Sequence, residues 1–305
     1  MTKKIIIAGG SGFLGKAIIK LFPDPHVQFI ILGRGQNCTN RNVKHLQWDG
    51  KHVGDWLSEF EGADALINLT GRTVDCRYNE KNKKEILDSR INATECIGLA
   101  IRQCKTPPKL WINAASATIY RHAEDRDMDE DTGEIGKGFS VDVCKAWEKT
   151  FNEIETPATR KIILRIAIVL GKNAGVMVPM KNLVRLGLGG KMGNGKQYFS
   201  WIHEKDLVNL IHWLMTHEDL SGTFNCCAPH PLTNTELMKI FRKELKMPFG
   251  IPQPVWLLKF GAWLIRTETE LILKSRRVVP KRLMEKGFRF EFTEAASALH
   301  DLIKK

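Results

Sequence analysis

The chain opens on MTKKIIIAGGSGFLG, and this stretch limits what the remainder can fold into. Ile5, Ile6, Ile7 and Ala8 make a continuous apolar run of the kind a strand buried on both faces needs. Gly9, Gly10, Gly12 and Gly15 follow at once, and Lys16 to Phe22 begins an amphipathic helical pattern. The glycines satisfy Gly10-x-Gly12-x-x-Gly15, the dinucleotide-binding spacing, and equally Gly9-x-x-Gly12-x-x-Gly15. Glycine suits such a turn because the bend is tight, the backbone must approach a pyrophosphate, and helix must pack closely on strand. The free N–H groups and positive dipole end of the helix then face the phosphates. Isolated glycine triplets also mark ordinary tight turns. Between a strand and a helix the triplet points to a nucleotide, with Gly9, Ser11, Gly12, Phe13 and Leu14 as its expected contacts.

A second strand is expected over 26–32, ending at Gly33-Arg34. Where NAD is the ligand, a carboxylate usually stands near that place to hold the ribose 2′-OH. Here a guanidinium follows a glycine, which favours the 2′-phosphate of NADP; the ordinary alternative is a solvent-facing arginine. Further strands are expected over 43–48, 63–69, 110–115 and 161–170, and helices over 79–104 and 141–155. Alternating strands and helices with short turns imply a parallel sheet covered on both faces. Ligands of such sheets bind beyond the carboxyl ends of the strands.

Past Gly171 the pattern changes. Gly187, Gly189, Gly190, Gly193 and Gly195 punctuate a basic loop, 200–215 returns to strand or turn and then helix, and a short strand is possible over 288–292. The expected architecture is α/β: a Rossmann doubly wound parallel sheet over 1–170, joined again by about 200–227. A smaller, mainly helical substrate part occupies 171–305, chiefly 171–199 and 228–305.

Composition narrows the classes of function. At 305 residues, 43% hydrophobic and 26% charged, the chain has the make-up of a globular protein of one large domain or two intimate ones. Its formal charge of +12 raises the question of nucleic acid, but basic residues are scattered among acidic ones, as over Glu80 to Glu85. A solvated basic surface is the better reading. The seven cysteines show no CxxC pair and no metal-ligand spacing, so reduced thiols in a cytoplasm are expected and no metal is. Lys4 leads straight into the first strand, leaving no room for a signal peptide. The stretch 255–273 is apolar and tryptophan-bearing, but Lys259, Arg266, Glu268 and Glu270 interrupt it. That favours an amphipathic helix packed on a neighbour or facing a partner over a membrane span.

After the fifth strand, Ser116-Ala117-Thr118-Ile119-Tyr120 resembles the extended short-chain dehydrogenase/reductase superfamily. The more specific resemblance is to its atypical, epimerase-like subgroup, also described as nucleoside-diphosphate-sugar epimerase-like. It is carried by Asn68-Leu69-Thr70-Gly71, Ser89-Arg90, Trp147-Glu148, Arg165 through Gly171, 186–190, Trp201-Ile202-His203, Asp206-Leu207 and Val278-Val279-Pro280. The resemblance implies a hydroxyl, a tyrosine and a lysine at the reacting centre, the tyrosine as general acid/base. Ser116 fits the hydroxyl. Counting forward puts the Tyr-x-x-x-Lys motif on Val141 and Lys145, so the lysine is present and the tyrosine absent, as it is in the subgroup. Tyr120 is the nominated substitute, with packing under the substrate loop as its ordinary role.

The subgroup resemblance also places Glu85 and Arg90 near the cofactor, although five residues on a helix separate them by about 140°. Gly33, Leu69, Thr70, Gly71 and Val169 would add contacts. Asn92, Lys196 and Gln197 are further polar candidates, and His203 reads as ordering a strand-to-helix join with Asp206 as helix cap. The function these residues imply is hydride transfer with NADP(H) on a sugar-like or carbonyl small molecule. The alternative is an NADP(H)-binding regulatory protein that has lost catalysis, which the missing tyrosine favours.

Overall fold

The computed structural model describes residues 2–264, 268 and 270–304. The apolar run becomes β1 (Lys3–Ala8), the glycines the turn after it, and Phe13–Leu21 the first helix, α1. There follow β2 (Val27–Gly33), β3 (Cys38–Asn40), β4 (Val43–Gln47), β5 (Ala65–Asn68), α2 (Glu80–Gln103), β6 (Leu110–Ser116), α3 (Phe139–Glu153) and β7 (Arg160–Ile166). The second half contributes β8 (Ile168–Leu170), α4 (Met177–Arg185), β9 (Tyr198–Phe199), β10 (Trp201–His203), α5 (Glu204–Thr216), β11 (Gly222–Cys226) and β12 (Leu232–Thr233). It ends with α6 (Asn234–Glu244), α7 (Val255–Leu264), α8 (Glu270–Leu273), α9 (Lys281–Glu285) and α10 (Ala295–Ile303).

Eight strands form one sheet in the order β11-β7-β6-β5-β1-β2-β4-β3, parallel except for β3 against β4. This is the Rossmann-like α/β fold. Alternate residues of β1 serve opposite layers: Ile5 and Ile7 join the core under α1 and α5, Ile6 and Ala8 the core under α2. A strand covered on both sides has no polar face to show, which is why its sequence reads as unbroken hydrophobics. A third core gathers α4, α6 and α10, with Trp201 and Phe241 among its fully buried members.

Three expectations are corrected. The strand expected over 161–170 breaks at Ala167: β7 stays in the main sheet, whereas β8 leaves to pair with β10. Ala167 N–H still bonds Cys226 at 3.0 Å, but Ile168 N–H turns to Ser200 at 3.2 Å. No strand forms over 288–292. The amides of Glu291 and Phe292 donate instead to the Asp206 carboxylate at 2.8 and 3.0 Å, so a side chain replaces a neighbouring strand. Asp206 is therefore a tether inside α5, and the cap is His203, whose Nδ1 accepts from Lys205 N–H at 3.1 Å.

Of the stretch 255–273, α7 buries Leu258 and leaves Trp256, Phe260 and Trp263 exposed; Arg266, one of the charges counted there, lies outside the described residues. Among the described residues no helix is long and apolar enough to cross a membrane.

Candidate active site

The carboxyl ends of β1, β2, β4 and β5 open into a cleft of about 850 Å³. The glycine turn forms its floor. Gly9 has φ +75°, and a Cβ there would lie 3.0 Å from the Thr70 backbone, so turn and β5 loop touch through backbone alone. At Gly15 a Cβ would come within 2.1 Å of Gly10 O, the close helix-to-strand packing that the spacing implies. Gly12 differs: the nearest atom to its Cβ would be Gly9 O at 3.7 Å, and the space is open. Gly12 is also the N-cap of α1, with no side chain capping it and no acidic residue in the first turn. The helix therefore presents free N–H groups and a positive end to the cleft.

Of the residues expected to touch a cofactor, Gly9, Ser11, Gly12, Gly33, Arg34, Leu69, Thr70, Gly71 and Glu85 line this one cleft, and Asn92 lies there too. The Thr70 hydroxyl is buried in the wall with no partner. Phe13, Leu14 and Val169 pack into the core beneath instead. Arg90 is turned away: it lies over the Trp147 ring at 5.1 Å and donates to Arg72 O and Ile86 O at 3.2 and 2.8 Å. It props the loop after β5, and its burial lowers its pKa. Glu85 pairs with Arg72, not with Arg90.

A buried network fixes the same loop from below. Asn68 accepts from Thr70 N–H at 3.0 Å and donates to Asn113 at 2.7 Å and to Thr94 at 3.3 Å. Thr94 also accepts from the Trp147 indole at 3.0 Å. Strands β5 and β6 and helices α2 and α3 thus converge on the cleft's edge.

The residues expected to share a reacting centre stand in different surroundings. Ser116 ends β6; its Oγ accepts from Thr118 N–H at 3.2 Å, which leaves the O–H free to donate elsewhere. Lys145 is exposed on α3, one place beyond the buried Cys144, and Val141 is fully buried. Tyr120 must be corrected outright. It is 2% exposed, its hydroxyl donates to Asn225 at 2.9 Å and accepts from Arg165 at 2.8 Å, and burial pushes its pKa up to about 12. A phenol committed to the core in this way is packing, not a proton donor to a substrate. Gln197 is likewise buried and donates to Met192 O at 3.0 Å, while Lys196 stays exposed.

Near Ser116 stands a polar cluster that the sequence did not reveal. The Tyr78 hydroxyl lies 3.4 Å from Ser140 Oγ, Ser140 donates to Glu270 at 3.3 Å, and Glu270 stands 3.8 Å from Lys274. Lys274 donates to Thr118 O at 2.9 Å and Arg276 to the Thr118 hydroxyl at 3.3 Å. Burial raises the pKa of Tyr78 and lowers that of Lys274. Residues from four separated stretches meet here, and of these only the one holding Thr118 carries a motif. Among the described residues no group of three His, Cys, Asp or Glu side chains is placed to hold a metal.

The chain is similar to known proteins along nearly its whole length. The sequence pattern of the NAD dependent epimerase/dehydratase family matches residues 5–227, and that of a domain of unknown function, DUF1731, matches 253–302. The chain is similar to epimerase family protein SDR39U1 of Mus musculus, 30% identical over 98% of this chain and 99% of that one. It is also similar to epimerase family protein YfhF of Bacillus subtilis, 29% identical over 98% and 97%. The crystal structure of human epimerase family protein SDR39U1 (isoform 2), solved with NADPH, superposes with a TM-score of 0.88 at 27% identity, covering 99% of each chain. A nucleoside-diphosphate sugar epimerase from Corynebacterium glutamicum shares the fold at a TM-score of 0.77 and 24% identity, over 99% of this chain and 58% of that one.

Proposed function

The chain belongs to the NAD dependent epimerase/dehydratase family, and from that premise we propose that it is an epimerase-like oxidoreductase. In this reading it binds NADP(H) and acts by hydride transfer on a sugar-like or carbonyl small molecule. One observation carries the reading: the glycine turn, the uncapped N-terminus of α1 and Arg34 at the end of β2 line a single cleft, with glycine where a ribose-binding carboxylate would stand. The human relative solved with NADPH supports the choice of cofactor. The open space at Gly12 and the unpartnered Thr70 hydroxyl also suit a bound dinucleotide.

When bound, the cofactor supplies or accepts a hydride at C4 of its nicotinamide ring. The chain's own part is to bind and orient. Free N–H groups of α1 meet the pyrophosphate, and Arg34 takes the 2′-phosphate. Ser116 donates its spare O–H to a substrate carbonyl oxygen, where a donor is worth most as negative charge develops. With Tyr120 committed to the core, proton movement falls to the Tyr78–Ser140 pair beside Glu270 and Lys274. Residues 171–199 and 228–305 form the substrate side, and the setting is cytoplasmic.

The exposed Lys145 and core-facing Tyr120 favour a second reading, an NADP(H)-binding regulatory protein without catalysis. Titration with NADPH and NADH, followed by turnover over a panel of carbonyl compounds and nucleotide sugars, separates the two. The cofactor assignment requires NADPH to bind more tightly than NADH and Arg34→Glu to abolish the preference. Equal binding of the two removes it. Tight NADPH binding with no turnover across the panel favours the regulatory reading.

A further inference from the structure

The charges around the cleft are unevenly spent. Three carboxylates line it, and each is already engaged. Glu85 pairs with Arg72, and Asp88 accepts from Lys84 at 2.7 Å. Asp49 is committed to its own turn: Oδ1 accepts from the N–H of Lys51 and His52 at 2.8 and 3.0 Å, and Oδ2 lies 2.6 Å from the His52 ring. Those hydrogen bonds, the His52 ring first, hold the Asp49 carboxyl down at about 2. The remaining charges on the cleft wall are Arg34 and Lys51, whose side chains form no ion pair or hydrogen bond among the described residues.

These two cations are brought together by strand pairing. β2 and β4 are parallel neighbours in register from Phe29 and Val43 to Gly33 and Gln47. Trp48 N–H bonds Gly33 O at 2.7 Å, so the chain leaves the two strand ends side by side. Arg34 follows directly. On the other strand Asp49 and Gly50, at φ +82°, build the turn that delivers Lys51. A glycine at that positive φ and a carboxylate spent on its own amides make the turn a fixed platform.

We propose that Lys51 is a second phosphate-reading residue, closing with Arg34 on the 2′-phosphomonoester of NADP(H). The inference rests on the cofactor reading above and adds to it a residue that reads cofactor identity. A phosphomonoester carries a charge of about −1.5 to −2 near neutral pH, more than one guanidinium balances. Arginine contributes a planar fork and lysine a compact charge on a flexible stem, so the two approach one phosphate without competing for the same oxygens. Arg34 and Lys51 are both exposed, so neither is needed for packing.

The test uses the full chain and two ligand pairs that differ only in the 2′-phosphate: NADPH against NADH, and adenosine 2′,5′-bisphosphate against AMP. Lys51→Met is expected to weaken the phosphorylated member of each pair by about tenfold and leave the other unchanged. Lys51→Arg restores the preference, Lys51→Glu deepens the loss, and added salt narrows the wild-type preference. An unaltered thermal midpoint confirms that the variants fold. Lys51→Met weakening both members equally, or neither, overturns the inference while the cofactor reading stands. Wild-type protein that does not distinguish the members of each pair overturns that reading, and the inference with it.

Discussion

The Tyr120 hydroxyl lies 2.8 Å from the Arg165 guanidinium, which also grips Glu148 through Nε and Nη2 at 2.8 Å each. The phenol is thereby one member of a buried ion-pair network. Tyr120→Phe removes a donor to Asn225 and an acceptor for Arg165, leaving both partners short inside the protein. It is expected to cost about 1–3 kcal/mol of stability. NADPH affinity and any turnover stay at wild-type values. Urea unfolding beside a cofactor titration reads both, and a lost turnover at wild-type stability would return Tyr120 to the chemistry.

The glycines separate by what a methyl group would meet. Gly15→Ala drives a Cβ against Gly10 O in the backbone of the turn, and is expected to leave the protein unfolded or at least several degrees less stable. Gly12→Ala places its methyl in open space at the cleft. That variant folds with an unchanged midpoint and binds NADPH more weakly. Thermal melts and affinities for the two proteins give the contrast, which reverses if Gly12 serves only the turn.

Thr94 holds the loop beside the cleft by accepting from both the Trp147 indole and Asn68. Thr94→Val keeps the shape and strands those donors, so a loss of about 1–3 kcal/mol is expected. Freed from Thr94, Asn68 holds Thr70 less firmly, and NADPH affinity falls along with stability. Unaltered affinity in a destabilised variant would limit the network to packing.

The start of α5 carries two groups with opposite pH dependence. Burial lowers His203 to about 4, with Asp301 pulling up and Lys205 down, so the folded protein resists a proton that the unfolded chain accepts below pH 6.5. Its contribution is full above pH 6.5 and is lost as pH falls towards 4. Burial raises Asp206 to about 6 against the Glu291 and Phe292 amides, so its penalty is lifted over much of the same fall. His203→Gln is therefore expected to gain relative to wild type between pH 7 and 4.5, and Asp206→Asn to lose, each on the order of 2 kcal/mol. Urea unfolding of the three proteins at both pH values shows the divergence; parallel curves would contradict it.

What could be read from the sequence was local. The turn from Gly9 to Gly15 and the cation at Arg34 belong to single short stretches whose spacing carries their geometry. Tyr120 could not be placed, because its direction is set by Arg165 and Asn225, the latter 105 residues along the chain. Lys51 and Tyr78 lie in stretches without pattern, and strand pairing or a helix start gives them neighbours. The break at Ala167 escaped for a related reason: apolar periodicity reports that a strand exists but not which partner it takes. At Glu291 and Phe292 a carboxylate from α5 did the work that a strand neighbour was expected to do.

The order of strands in the sheet also sets an order of events during synthesis. β1 precedes the other strands along the chain and sits inside the sheet, yet β7 has no outer neighbour until β11 arrives at residues 222–226. Until then β7 presents Ile162, Leu164 and Ile166 on an unpaired edge, a template for pairing with another chain. A fragment ended at residue 170 inherits the same exposed edge and is expected to associate with itself.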